Sequence, residues 1–259
     1  MIDWFYKTWG NPQNSCIVFL HGFLGTSADW DTIIPHFEKD YFCIAVDLPG
    51  HGQTNADDDF SYSINDTSKA LIQFLSEICK KSFVLVGYSM GGRLGLYTAL
   101  TKSQSISKLI LESCSPGIES KEDRAKRVTS DQKWADKLLN LPPKQFLDEW
   151  YSQSIFESLR KNKNFAEMME KRAHYNPAST SKSLMGKSQG VQSPLWDKLH
   201  KLATPVLLIS GEYDKKYVSL MERMNKKIQN CSFSIIKSAG HNTHFERSER
   251  FITAIKEFL

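Results

Sequence analysis

The chain has 259 residues, enough for one large domain or for a core with an inserted lobe, and its 41% hydrophobic and 24% charged residues are ordinary for a globular protein. Basic residues exceed acidic ones by 33 − 29 = +4, too slight and dispersed an excess for a nucleic-acid binder. No apolar stretch approaches the roughly 18–20 residues that span a membrane, and the start of the chain lacks the basic and apolar segments of a secretory signal.

Five cysteines (Cys16, Cys43, Cys79, Cys114 and Cys231) are odd in number and lack C-x-x-C spacing. Free thiols and a reducing, cytoplasmic location are the expectation. In chain order, Trp4 to Trp9 alternates aromatic and polar residues, as a half-exposed strand does. After a turn at Asn11-Pro12, Cys16 to Leu20 reads as a fully buried strand that runs into His21-Gly22-Phe23. Ser27 or Asp29 is a candidate cap for a following helix with Trp30, Ile33, Ile34 and Phe37 on its apolar face. Phe42 to Val46 is a second buried strand, closed by the tight turn Asp47-Leu48-Pro49-Gly50-His51-Gly52. Ile64 to Ile78 has a helical apolar period, and Phe83 to Val86 is again a strand. Further strands follow at Leu109–Leu111, 205–209 and 233–236, and a closing helix spans about Glu249 to Leu259.

Apolar strands separated by helical patterns predict an α/β protein with a mostly parallel central sheet covered on both faces. Residues 116–202 break the alternation: they are charged, helix-like and rich in aromatic residues, with no buried-strand run. A segment of that length between two strands is too long for a connecting loop. The predicted organisation is therefore a core of residues 1–115 and 203–259 with a helical lid at 116–202.

Ligands of such sheets bind beyond the carboxyl ends of the strands, and the chemically informative residues fall there. The strand Phe83–Val86 enters Gly87-Tyr88-Ser89-Met90-Gly91-Gly92-Arg93, and a helical pattern follows. That is the strand–turn–helix setting of a G-x-S-x-G nucleophile elbow. A serine nucleophile needs a base, and the base needs an orienting carboxylate. The penultimate strand ends in Gly211-Glu212-Tyr213-Asp214 and the last runs into Ala239-Gly240-His241, so Asp214 and His241 are the expected partners of Ser89. Glu212 and Glu112 are rivals for the acid and His244 is a rival for the base. The N–H groups of Met90 and Phe23 are the candidate oxyanion donors. No metal-ligand spacing and no dinucleotide-binding glycine pattern is present, and no cofactor is expected.

Taken together, His21-Gly22-Phe23, Asp47-Leu48-Pro49-Gly50-His51-Gly52, Gly87-Tyr88-Ser89-Met90-Gly91-Gly92 and Ala239-Gly240-His241 resemble the α/β-hydrolase superfamily along nearly the whole chain. Arg93, Arg124-Ala125-Lys126-Arg127 with Asp131 and Trp134, Glu149-Trp150-Tyr151 with Phe156, Arg172 and Gly240-His241-Asn242 resemble one branch. This is the 2-succinyl-6-hydroxy-2,4-cyclohexadiene-1-carboxylate synthases of menaquinone and phylloquinone biosynthesis. The resemblance implies a lyase that eliminates pyruvate from an enolpyruvyl tricarboxylate, with Ser89 acting as a base. A serine carboxylesterase or C–C bond hydrolase with the same triad, and a non-catalytic receptor, are the alternatives. Arg93, Arg127 and Arg172 offer planar forks suited to carboxylates, with Tyr88 and Trp150 as further substrate contacts. The expected partner is a small polycarboxylate, with no nucleic acid or membrane, and the expected state is a monomer or weak homo-oligomer.

Overall fold

The structure is a computed structural model that describes residues 2–101 and 105–259. Its strands are Ile2–Asp3 (β1), Tyr6–Trp9 (β2), Cys16–Leu20 (β3), Phe42–Val46 (β4), Asn55–Ala56 (β5), Phe83–Tyr88 (β6), Ile106–Glu112 (β7), Val206–Gly211 (β8) and Cys231–Ile236 (β9). The α-helices of the core are Ile64–Ile78 (α1) and Met90–Thr101 (α2). Between β7 and β8 come Lys121–Asn140 (α3), Pro143–Tyr151 (α4), Glu157–Arg160 (α5), Phe165–Arg172 (α6) and Pro177–Gly186 (α7). Lys215–Asn225 (α8), Thr243–Glu246 (α9) and Ser248–Phe258 (α10) complete the chain.

Seven strands form one sheet in the order β2-β4-β3-β6-β7-β8-β9. All pairings in it are parallel except that of β2 with β4. The two-residue strands β1 and β5 pair separately. Alternate side chains of the central strands go to opposite faces, as the strand period requires. Val18, Leu20, Leu85 and Leu109 pack beneath α1, α2 and α8 through Leu71, Leu75, Leu94 and Met221. Ile17, Phe19, Val84 and Val86 face Trp30, Ile33, Phe251 and Ile255 on the other side. Double coverage explains why the central strands read as unbroken apolar runs.

The region from Ser27 to Phe37 is not the single helix expected from its apolar spacing. It forms two 3₁₀ turns, Ser27–Trp30 and Ile34–His36, and Thr26 rather than Ser27 or Asp29 caps the first. Pro35 supplies no backbone donor and breaks the continuity that Ile33 and Ile34 suggest. The first strand of the large sheet is also shorter than the pattern from Trp4 implies, beginning at Tyr6.

Helices α3 to α7 build a separate apolar cluster from Leu138, Phe146, Leu147, Tyr151, Phe156 and Leu184. Leu24 and Phe23, from the loop after β3, pack into that cluster. These helices therefore sit on the loops at the carboxyl ends of the strands. No helix among the described residues is long and apolar enough to cross a membrane.

Candidate active site

β3 and β6 are neighbours, and the chain leaves β3 toward β4 on one side and enters β6 on the other. A crevice opens at such a reversal of strand order. Ser89 stands on the β6 side of it, directly after the strand, with φ of 50°. A non-glycine residue in this left-handed region carries strain and is held there by its surroundings. Ser89 N donates to Glu112 O at 2.8 Å, and Gly91 N donates to His21 O at 3.1 Å. A Cβ on Gly91 would lie 2.4 Å from Leu20 O, so the helix after the serine comes this close to β3 only because residue 91 has no side chain.

His241 Nε2 lies 3.1 Å from Ser89 Oγ, and His241 Nδ1 lies 2.6 Å from Asp214 Oδ2. A carboxylate accepts, so Nδ1–H donates to Asp214 and Nε2 is left to accept from the serine hydroxyl. This is the proton path of a Ser-His-Asp triad. Asp214 also caps α8, accepting from Tyr217 N through Oδ1, and the Tyr217 ring packs on His241 at 4.7 Å. The rivals from the sequence have other work. Glu212 accepts from Ser238 N, while Glu112 accepts from Thr243 N, Thr243 Oγ1, His244 N and His244 Nδ1. Glu112 and His244 thus form a buried brace under the loop that carries His241. Trp30 stacks on His244 from one side at 4.4 Å.

On the β3 side, His21 Nδ1 donates to Gly22 O at 2.7 Å and Nε2 accepts from Leu48 N at 2.9 Å. Burial pushes the His21 pKa below its usual value, which agrees with a neutral ring accepting through Nε2. The ring fixes the loop that presents Phe23. Phe23 and Met90 line one cavity with Ser89 and His241, and Met90 N is the first amide of α2, without a helical acceptor. Two N–H groups beside the serine are the parts of an oxyanion hole. The cavity holds about 1010 Å³. Among the described residues no group of three His, Cys, Asp or Glu side chains is placed to hold a metal ion.

Arg93, Arg127 and Trp150 line this cavity, as the sequence pattern anticipates. Arg93 is 7% exposed and donates to Gln192 Oε1 and to Lys187 O, each at 2.7 Å. Neither acceptor is an acid. Asp47, at the end of β4, is occupied elsewhere and accepts from Ser27 N and Gln53 N. Burial, with Arg127 nearby, lowers the Arg93 pKa to about 10. Arg127 donates through Nε to Asp131 at 2.8 Å, and its side chain is part exposed. Trp150 both packs on Phe23 at 4.9 Å and faces the cavity.

Two expected substrate contacts lie elsewhere. Arg172 is not among the residues that line the cavity; it is paired with Asp29 Oδ2 at 2.8 Å and donates to the Tyr151 hydroxyl. Burial alone would lower its pKa, but Asp29 and Tyr151 outweigh that and the net shift is upward. Tyr88 is buried between His241 and His244, at 5.5 and 4.9 Å between ring centroids, and backs the triad rather than facing the space above it. Both corrections have one cause: position next to a motif does not set side-chain direction. The sequence pattern also missed Lys187 on the cavity wall, because Gly186-Lys187-Ser188 has the composition of a solvated helix end.

The chain belongs to the α/β-hydrolase fold family, whose model matches residues 16–248. Within that fold it falls in the branch of the 2-succinyl-6-hydroxy-2,4-cyclohexadiene-1-carboxylate synthases. The synthase of that name from Salmonella typhimurium is 32% identical, with 96% of each chain covered. The solved structure of MenH from S. aureus superposes with a TM-score of 0.93 at 33% identity, covering 98% of this chain and 97% of that one. The chloroplastic protein PHYLLO of Arabidopsis thaliana is 32% identical over 96% of this chain, which spans only 16% of that longer protein. An enol-lactonase from Burkholderia xenovorans has a TM-score of 0.84 at 18% identity, a likeness of fold alone.

Proposed function

We propose that the protein is a lyase of menaquinone or phylloquinone biosynthesis. Its substrate would be 2-succinyl-5-enolpyruvyl-6-hydroxy-3-cyclohexene-1-carboxylate, and its products 2-succinyl-6-hydroxy-2,4-cyclohexadiene-1-carboxylate and pyruvate. The observation that carries this reading is Arg93: a buried guanidinium on the cavity wall, one helical turn past Ser89, with neutral acceptors only. A buried charge without a counter-charge is costly, and a carboxylate of the substrate would supply one. A pocket for simple apolar esters has no use for it. Arg127 adds a second cation to the same wall, and Trp150 gives the ring an apolar surface.

In this reading the Asp214–His241 pair takes the hydroxyl proton of Ser89, and Ser89 Oγ removes the proton from the ring carbon that bears the succinyl group. Negative charge moves onto the succinyl carbonyl oxygen, where the amides of Phe23 and Met90 receive it. As the carbonyl re-forms, the ring double bond shifts and the carbon–oxygen bond to the enolpyruvyl group breaks. The leaving enolate takes up the proton held by His241 and becomes pyruvate, while Ser89 keeps the ring proton as its hydroxyl and His241 is neutral again. No bond forms between Ser89 and the substrate. Every residue in this scheme comes from one chain, which suits a monomer or weak homo-oligomer, and five free thiols suit a cytoplasmic location.

The test is an assay that follows pyruvate release from the enolpyruvyl substrate by wild type and by Ser89→Ala. Release well above the spontaneous rate, reduced at least about a thousandfold in the variant, is the expected result. No release above the spontaneous rate, with rapid turnover of p-nitrophenyl esters and no preference for acids, would make the protein an ester hydrolase.

A further inference from the structure

Lys187 follows α7 directly and is 2% exposed, yet no carboxylate among the described residues lies within ion-pair distance of it. Its Nζ donates to Ser183 Oγ at 2.9 Å and to Pro49 O at 3.2 Å, and rests 5.3 Å from the centroid of the Tyr62 ring. An ammonium has three protons to donate, so one remains. The carbonyl of the same residue accepts from Arg93, and both residues line the cavity above Ser89. Two adjacent buried cations therefore meet at this wall, and among the described residues neither has a carboxylate within ion-pair distance. As packing alone, a methionine of similar length would fill the place without the cost of burying an ammonium.

We infer that Lys187 is a specificity-determining residue that receives a carboxylate of the bound substrate beside Arg93, reaching it from the lid. The inference rests on the polycarboxylate reading of the substrate. The charged and titratable groups that face Lys187 supply no competing anion. They are Arg93 from α2, the Tyr62 phenol before α1, and His51 from the turn after β4. Burial pushes the phenol up and the imidazole well down, so both stay neutral near pH 7 while Arg93 stays charged.

Burial, and after it the Arg93 charge, lowers the Lys187 pKa to about 7. An anion beside Nζ favours the charged form and raises that pKa in the complex. Below the free-protein pKa the ammonium is already present. Above it, binding must take up one proton from solvent, so affinity falls with rising pH until the pKa of the complex is passed.

The experiment compares KM and kcat for pyruvate release in wild type, Lys187→Met and Lys187→Arg between about pH 6 and about pH 9, a window that brackets the titration. In wild type KM should rise by up to about tenfold per pH unit above neutrality, with kcat changing much less. Lys187→Met should show a KM raised on the order of tenfold at the acid end and little affected by pH. Lys187→Arg keeps its charge throughout and should hold KM low and flat. A Lys187→Met enzyme with the wild-type KM and the wild-type pH slope would overturn the inference, even if it melts at a lower temperature. Should that variant fail to fold, equal pH slopes in wild type and Lys187→Arg would overturn it. Both results leave the lyase reading intact. A wild-type protein that releases no pyruvate would instead remove that reading and this inference with it.

Discussion

Arg93 is a residue whose two possible duties make opposite demands on a substitution. Its guanidinium braces Gln192 and the carbonyl of Lys187, and the same group faces the cavity. Truncation to alanine orphans both acceptors, which should lower stability by about 1–3 kcal/mol. A substrate contact is a separate loss. Arg93→Ala should reduce kcat/KM for the tricarboxylate on the order of a hundredfold, mainly through KM. A steady-state comparison, made well below the melting temperature of the variant, separates the two effects. Near-normal kinetics with a lowered melting temperature would make Arg93 a brace only. That Ser89, Asp214 and His241 come together could be anticipated from the sequence because each sits in a short local pattern at a strand end: Ser89 in G-x-S-x-G, Asp214 after Gly211-Glu212-Tyr213 and His241 after Ala239-Gly240. Direction could not. Tyr88 and Arg172 sit beside informative residues, yet long-range partners turn them inward, His244 and His241 for the first and Asp29 for the second. Nothing in Gly186-Lys187-Ser188 announces burial either, since the cover over Lys187 comes from Pro49 and Tyr62, far away in the chain.

Helices α3 to α7 are held to the rest of the chain by a few polar ties as well as by their own apolar cluster. Arg172 at the end of α6 pairs with Asp29 in the 3₁₀ turn after β3, with side chains 7% and 13% exposed. Thr180 Oγ1 in α7 donates to Gly50 O at 2.9 Å. Removing one partner of a buried ion pair leaves the other charge uncompensated, at a cost of about 3–5 kcal/mol. The Tyr151 hydroxyl softens that for Arg172. Asp29→Ala should therefore destabilise the fold by about 3 kcal/mol, measured by urea unfolding, while the double variant Asp29→Leu with Arg172→Met should recover most of the loss. If Arg172 were chiefly a substrate ligand, the double variant would regain stability but lose activity. The structure predicts that it keeps most of its kcat. That residues 116–202 are helical could be read from the sequence because they lack any buried-strand run, and α3 to α7 fall within them. Their ties could not, since they join residues more than a hundred positions apart. The same limit applies to the segment after β3, where apolar spacing suggests one helix and Pro35 dictates two short turns.

At the scale of the whole molecule, a net charge of +4 says little, but the placement of the charge says more. Arg93, Arg127 and Lys187 line the cavity, and Lys215, Lys216 and Arg247 border it with no carboxylate partner among the described residues. Low-dielectric walls concentrate the field of such a group in the mouth of the site, which raises the encounter rate of an anion. Exposed cations are screened by salt and buried ones much less, since the Debye length falls from about 30 Å at 0.01 M to about 3 Å at 1 M. Two parts of catalysis should then respond differently to ionic strength. Across that range kcat/KM for the tricarboxylate should fall on the order of tenfold as the mouth is screened, while kcat, which the proposed mechanism assigns to Ser89, His241 and the buried amides, should move little. A neutral ester turned over slowly at the same triad should show no such fall in kcat/KM. Replacing Lys215 and Lys216 together by glutamine should weaken the salt slope and leave kcat alone, because among the described residues neither side chain is hydrogen-bonded to Ser89, Asp214 or His241. A tricarboxylate kcat/KM that is flat with salt in wild type would mean that the cations at the mouth serve solubility, and that selection for the anion resides wholly in the buried wall of Arg93 and Lys187.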